Sequence, residues 1–266
     1  MAGRRAGAKN RAMPLTFQPP PPRQTWLWLA PYVAIGVFAL AMLVVTALLQ
    51  WREFDTARSA LEGDLHWAER TIENRLHAHQ DFLGELAREQ EFRHLDYEAF
   101  QVRASRYVQD NPEILAIIWV DIRGKVEWVA PNESTVTFVG EQLSGSRLEA
   151  LEDSLRIRRE LWSPDYAIPG QRRANDLVMP VRRGGSDLGA FIAIQSLEAM
   201  LRATLPAVFT ARYSLTLVDA ENREVLSNTS VTPTERELSG QISLDLPGNP
   251  LGLNIVAYRS GGLWLT

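Results

Sequence analysis

Cysteine is absent from the 266 residues of the chain, so the sequence offers no disulfide, no thiolate nucleophile and no thiolate metal ligand. Histidine is scarce, and all four histidines lie in or just after one helical stretch. His77 and His79 are two positions apart, which places them on different faces of a helix, and no His-Glu-x-x-His pattern occurs. We therefore predict no metal site and no cofactor.

Motifs of catalysis are missing as well. The sequence has no Gly-Lys phosphate-binding loop, no kinase nucleotide-binding motif and no Gly-Gly-Asp-Glu-Phe signature, and Ser144-Gly-Ser146 lacks the first glycine of a nucleophile elbow. A net charge of −4, without a basic patch interleaved with aromatic residues, argues against nucleic acid as a partner. We predict no catalytic residue in this chain, and whether it belongs to a larger enzyme stays open.

One long run has no charge at all. Trp26–Leu49 is apolar over a length that can span a bilayer core, which takes about 20 residues of helix. All charged residues before the run are basic, and the first acidic residue is Glu53, so the positive-inside rule places the N-terminus in the cytoplasm. A buried core helix and a cleaved signal peptide are the alternatives. The first would show a polar face, and the second would have a shorter apolar core followed by a small-residue cleavage site.

The residues that flank this run differ in character. Residues 1–25 are basic and then rich in proline, which predicts a disordered cytoplasmic tail. From about Arg52 to Glu89 the pattern is that of one long helix without proline, with apolar residues at steps of three and four. This stripe predicts a seam for a second copy of the chain or for the domain that follows. It consists of Leu61, Leu65, Ala68, Ile72, Leu76, His79, Leu83 and Leu86.

Shorter helices and strands follow the long helix. We predict helices that begin after Asp96, at a capping box Ser146–Glu149 and after Ser196. Strands are predicted where apolar runs are bounded by turns, at Ile114–Val120, Val126–Val129, Leu177–Val181 and Leu188–Ile194.

The later part of the chain repeats this plan. IIWVDIRGKVEWV (117–129) matches LTLVDAENREVLS (215–227), since both have an apolar strand that ends in Val-Asp, a polar turn and a return through valine. LGAFIAIQ (188–195) and LGLNIVAY (251–258) match in the same order. We infer two related α+β units, of which the second lacks most of its middle; chance matching of short hairpins is the alternative.

A tail, a span, a long helix and two such units resemble the double Cache, PAS-like sensor region of bacterial membrane receptors. The resemblance covers about residues 26–266 and implies an α+β fold with two antiparallel-sheet units. The boundaries we expect are a cytoplasmic tail (1–25), a transmembrane helix (26–50), a stalk helix (51–90), a membrane-distal unit (91–205), a shortened membrane-proximal unit (206–262) and the start of a second transmembrane helix (263–266).

The resemblance implies a function in signal transduction. Members of this family sense small solutes outside the cytoplasm for sensor histidine kinases, diguanylate cyclases and chemoreceptors, and we expect a histidine kinase sensor. We expect a bacterial inner membrane location with residues 52–262 in the periplasm, a homodimer formed through the seam of the stalk helix, and a small ligand that could be a carboxylate. The alternative is a membrane-anchored periplasmic module that binds another protein and no small ligand.

Any ligand is expected in the first unit. In PAS-like folds the pocket lies between the sheet and the segment that joins its second and third strands, here about Pro131 to Asp176. The stripe of the helix in this segment continues through Leu151 and Leu155 to Arg158, and a guanidinium turned toward a core needs a partner, such as a ligand carboxylate. A salt bridge or a snorkelling side chain is the alternative for Arg158. The predicted ligand-binding residues are Arg158, Trp162, Tyr166, Arg173 and Trp128.

Overall fold

A computed structural model of the chain describes residues 26–168, 170, 173–228 and 239–257, without side-chain detail for 26–30, 49–57 and 257. The predicted tail (1–25) and the start of a second span (263–266) lie outside these residues. The first element is one helix of 68 residues, α1 (Trp26–Arg93). Its segment Pro31–Leu48 has a mean hydropathy of 2.3 and is exposed throughout, so by length and composition it could cross a membrane. This exposure contradicts the alternative of a buried core helix.

The chain divides into two compact parts, one up to Asp55 and one from Thr56 onward. The second of these holds two antiparallel sheets that share one plan. The elements after α1 are α2 (Tyr97–Asp110), β1 (Ile114–Val120), β2 (Val126–Ala130), α3 (Ser146–Ile157), β3 (Leu161–Trp162), β4 (Ala174–Arg183), β5 (Ser186–Ser196), α4 (Leu197–Thr204), α5 (Ala207–Arg212), β6 (Tyr213–Val218), β7 (Glu224–Ser227), β8 (Ser239–Leu244) and β9 (Leu251–Ala257). The first sheet has the strand order β2-β1-β5-β4-β3, and the second has the order β7-β6-β9-β8.

The two matched Val-Asp turns have the same geometry. In the first, the Asp121 carboxylate accepts hydrogen bonds from the backbone N–H groups of Arg123 and Lys125, both at 2.8 Å. In the second, Asp219 accepts equivalent bonds at 3.0 and 2.8 Å. These aspartates close the turns locally, in the manner of Asx-turns. The predicted internal repeat is therefore confirmed, and we call residues 97–196 the first unit and residues 197–257 the second unit.

Both sheets bury one face against α1. The apolar stripe predicted on this helix is confirmed, since Ala68, Ile72, Leu83 and Leu86 are fully or almost fully buried in one core that includes residues of both sheets. Toward the second sheet, Leu65 lies against Gly240, where an added Cβ would come within 2.3 Å of its Cδ1. One helix thus forms a common wall for two sheets.

A buried ionic network fixes α1 to the first unit. Glu113, between α2 and β1, is completely buried, and its carboxylate accepts a hydrogen bond from Arg75 Nε at 2.5 Å. His79 Nε2 lies 3.1 Å from the same oxygen, while its Nδ1 lies 2.7 Å from the hydroxyl of Tyr107 on α2. The bonds from His79 and Arg75 outweigh burial and lower the pKa of Glu113 to about 2.

Two predicted helix starts are confirmed and one is wrong. Asp96 and Ser196 cap their helices by accepting hydrogen bonds from Ala99 N–H at 2.7 Å and Ala199 N–H at 3.3 Å. Ser146 is not a cap: Gly145 occupies that position, and no side chain caps the helix. Gly145 has a φ of +56°, which glycine adopts readily, so the chain enters α3 one residue earlier than the Ser-x-x-Glu spacing indicates.

Candidate functional site

The face of the first sheet that points away from α1 carries the candidate site. Side chains alternate along β4, so Leu177 faces the core that contains α1, whereas Asp176 and Val178 face the opposite side. On that side, α3 and the residues before it cover the sheet with a second apolar core. This is the region between the second and third strands that we predicted as the pocket.

A charged pair lies in this apolar setting. Asp176 is completely buried, and Arg147, in the first turn of α3, donates from Nε to its Oδ2 at 2.7 Å. The Tyr166 hydroxyl donates to the other oxygen of the same carboxylate, and the guanidinium carbon lies 5.1 Å from the centroid of the Tyr166 ring. We call Arg147, Tyr166 and Asp176 the central cluster.

Further charges surround the central cluster. Glu141 Oε1 lies 3.7 Å from Arg147 Nη1, and Glu141 Oε2 accepts a hydrogen bond from the Thr137 hydroxyl at 2.7 Å. Nearby in the chain, Arg173 pairs with Asp165 at 3.0 Å. Among the described residues, no group of three or more histidine, aspartate or glutamate side chains is placed to hold a metal ion.

Burial dominates the electrostatics of the cluster. It raises the pKa of Asp176, although the Arg147 charge and the Tyr166 hydrogen bond oppose the shift. Burial and then the Asp176 charge raise the pKa of Tyr166, so the phenol stays protonated as a donor. For Arg147, burial is the largest effect and lowers the pKa, but the charge and hydrogen bond of Asp176 together with Tyr166 and Glu141 outweigh it, and the net direction is upward. The cluster is therefore a cation, a phenol donor and a carboxylate held out of water.

One donor of the cluster has no partner. The Nη2 atom of Arg147 is buried and makes no hydrogen bond in the described part of the chain. A guanidinium offers five N–H donors in a rigid fork, and a buried donor without an acceptor costs about 1–3 kcal/mol. A carboxylate of a bound molecule would satisfy it. Two cavities in the described part of the chain, of about 70 and 190 Å³, are lined by other residues.

The structure places only one of the five sequence-predicted residues in this cluster, namely Tyr166. The premise for Arg158 is wrong, because α3 ends at Ile157 and Arg158 follows it as an exposed cap in the left-handed conformation (φ +61°). Trp162 stands on β3 and belongs to the core on the α1 side. Trp128 packs on that same side, with its ring 5.5 Å from Phe100.

Arg173 is the fifth predicted residue. Its side chain is 40% exposed and is paired with Asp165. Sequence reasoning missed Arg147 and Asp176. Arg147 lies inside the stretch that we interpreted as a capping box. Asp176 directly precedes the predicted strand Leu177–Val181. A charged residue beside a continuous apolar strand was the available signal.

These features define a PAS-like fold: two related antiparallel sheets on one long helix, with a polar cluster between the first sheet and α3. No protein-family model matches the chain. The chain is 28% identical over 235 residues to the C4-dicarboxylate transport sensor protein DctS of Rhodobacter capsulatus. The aligned region covers 87% of this chain and 33% of DctS. The chain thus spans about a third of the length of that relative.

Solved structures of sensor domains have the same fold. The ligand-binding domain of the Pseudomonas fluorescens chemoreceptor CtaA, in complex with L-alanine, matches with a TM-score of 0.58 at 11% identity, over 76% of this chain and 97% of that one. The extracellular domain of the histidine kinase candidate vpHK1S-Z8 matches with a TM-score of 0.56 at 12% identity, over 76% and 95%. The chain has the double Cache, PAS-like fold of bacterial receptor sensor domains, and it is a membrane protein with an extracytoplasmic domain.

Proposed function

We propose that the chain is the ligand-sensing region of a membrane-bound receptor, a sensor histidine kinase, and that it binds a small solute at the central cluster. The observation that carries this proposal is a largely buried guanidinium whose buried Nη2 donor is unsatisfied, held against a buried carboxylate on the face where PAS-like folds bind ligands. Only Tyr166 remains from the five residues predicted from the sequence.

The charges of the site favour a ligand with both an amine and an acid group. Arg147 is already neutralised by Asp176, and Glu141 adds a further negative charge nearby. A dicarboxylate would bring two more negative charges to a site with a single buried cation, which burial makes costly. A carboxylate can instead accept from Arg147 Nη2 while an ammonium group replaces part of the Arg147–Asp176 contact. The similarity to DctS, a C4-dicarboxylate transport sensor, favours dicarboxylates as the second candidate class.

The wider assignment includes location and signalling. We propose a bacterial inner membrane protein with its N-terminus in the cytoplasm, residues 52–262 in the periplasm and a homodimer formed through α1. The basic residues before the span support this orientation. Ligand binding would favour one arrangement of the sensor domain, and α1, which continues into the apolar span, would carry the shift. Sensor regions of chemoreceptors or diguanylate cyclases and a protein-binding module remain the alternatives.

A thermal unfolding screen tests the proposal. The full chain in nanodiscs is heated with amino acids, polyamines and C4-dicarboxylates, and tryptophan fluorescence reports unfolding. A ligand at 100 times its Kd adds about 2.7 kcal/mol, and about 2–4 °C per kcal/mol gives a rise in Tm of roughly 5–11 °C.

Two variants locate the site. Arg147→Gln should abolish the rise, and the matched control Arg158→Gln, just beyond the same helix, should keep it. A rise with dicarboxylates alone would overturn the amine-and-acid ligand. A rise that survives in Arg147→Gln would refute the site, and a flat response to the whole panel would count against the sensing of these solutes.

A further inference from the structure

The candidate site is tied to the second unit through a short chain of buried hydrogen bonds. The link begins at Asp176, whose side chain belongs to the central cluster. Its backbone pairs with Ser163, which directly follows β3: Ser163 N–H donates to Asp176 C=O at 2.8 Å, and Asp176 N–H donates to the Ser163 hydroxyl at 2.9 Å. Ser163 is completely buried, so these bonds have no competition from water.

The other side of Ser163 faces the second unit. The amide of Asn249, in the turn between β8 and β9, donates from Nδ2 to Ser163 C=O at 2.9 Å. One residue earlier in the first unit, Trp162 N–H donates to Pro247 C=O at 2.7 Å. Asn249 is itself buried. We call Trp162, Ser163 and the turn residues 247–249 the joint.

The turn at Gly248 packs closely against β3. Gly248 has a φ of +88°, and a Cβ at this position would lie 2.6 Å from Leu161 Cγ and 2.9 Å from the carbonyl oxygen of Trp162. The turn therefore lies so close to β3 that a side chain at position 248 would force neighbouring atoms to shift. Since both bonds across the joint are made by the completely buried residues Trp162 and Ser163, the turn and the β3 segment must move together or break them.

From this geometry we infer that Asn249 of the second unit is a positioning residue of the ligand site in the first unit, acting through Ser163 on Asp176. The assignment of Asp176 to a ligand site rests on the proposed function. The consequence is coupling in both directions: a ligand that shifts Asp176 pulls on the turn before β9, and a change in that turn shifts Asp176. Such reciprocity is required of any two linked sites.

Hydrogen exchange read by mass spectrometry tests the coupling on the full chain in nanodiscs, without any ligand. Asn249→Asp keeps the shape of the side chain but removes the donor to Ser163. Exchange should rise about tenfold in peptides that contain Ser163 and Asp176, as expected for the loss of one buried hydrogen bond. The matched control Asn254→Asp makes the same change on β9 and should leave those peptides within about twofold of the wild type.

The reverse direction uses a change in the central cluster. Asp176→Asn leaves the backbone bonds to Ser163 possible and alters only the side chain, so a rise in exchange across residues 243–253 reports transmission. Asp153→Asn, on the exposed face of α3, is its control. Exchange that changes only on the mutated side of the joint, in either variant that folds, overturns the inference. An empty ligand screen would instead count against the proposed function and leave this result standing.

Discussion

Replacing Glu113 by glutamine should destabilise the chain in a pH-dependent way. In the folded protein Arg75 and His79 lower the pKa of Glu113 from 4.5 to about 2. Because the folded-state pKa lies below the unfolded one, the stabilisation is complete above pH 4.5 and is lost as the pH falls from there toward about 2. At about 1.4 kcal/mol per pH unit this amounts to about 3 kcal/mol at pH 7. The Arg75 side chain is about a third exposed and is screened by solvent, so this is an upper figure.

The measurement is urea unfolding of the wild type and of Glu113→Gln at pH 7 and pH 3. At pH 3 the unfolded carboxyl is protonated while the folded one is still mostly ionised, so the difference between the two proteins should fall from about 3 to about 1.5 kcal/mol. Glu62→Gln removes an exposed partner of Arg58 and should cost less than about 1 kcal/mol at either pH. A difference that is equal at both pH values would refute the assignment of the stabilisation to the ionised Glu113.

Two further changes test the packing of the second unit by the same unfolding measurement. Gly248→Ala should lower the free energy of unfolding by at least about 2 kcal/mol more than Gly140→Ala. Both glycines have a φ near +89°, but only at Gly248 would an added Cβ lie against Leu161. Equal losses would mean that the residues around Gly248 can move apart to accept a Cβ. Tyr213→Phe removes the hydroxyl that donates to Asp64 of α1 and should cost about 1 kcal/mol, and an unchanged midpoint would show that this bond contributes nothing.

Local patterns in the sequence predicted most of the fold. The strand Ile114–Val120 was predicted with its observed bounds, because a continuous apolar run between turns has few other solutions. The Val-Asp turns revealed the repeat because Asp121 and Asp219 bond to backbone groups only two and four residues away. Interactions of this kind can be predicted because both partners lie within a few residues of each other in the sequence.

The site was predicted less well because it depends on distant pairings. Arg147 and Asp176 are 29 positions apart, and nothing in either neighbourhood indicates the other. Arg158 was misplaced because the apolar stripe of its helix suggests one more turn, while the helix ends there in a left-handed residue that is not glycine. The central cluster lies within the predicted segment from Pro131 to Asp176, because the fold plan fixes where the sheet is covered on the side away from α1, and ligand binding there stays a prediction.

The common wall formed by α1 has a consequence for the order of synthesis. Asp64 leaves the ribosome early, yet its partner Tyr213 lies 149 positions later in the chain. Until β6, β8 and β9 have been made, the part of the stripe that packs on the second sheet has no cover from its native neighbours. A polypeptide that stops before the second unit would keep this apolar surface open to water, which is a hazard for aggregation. The shortened second unit therefore buries a surface that is made early in synthesis.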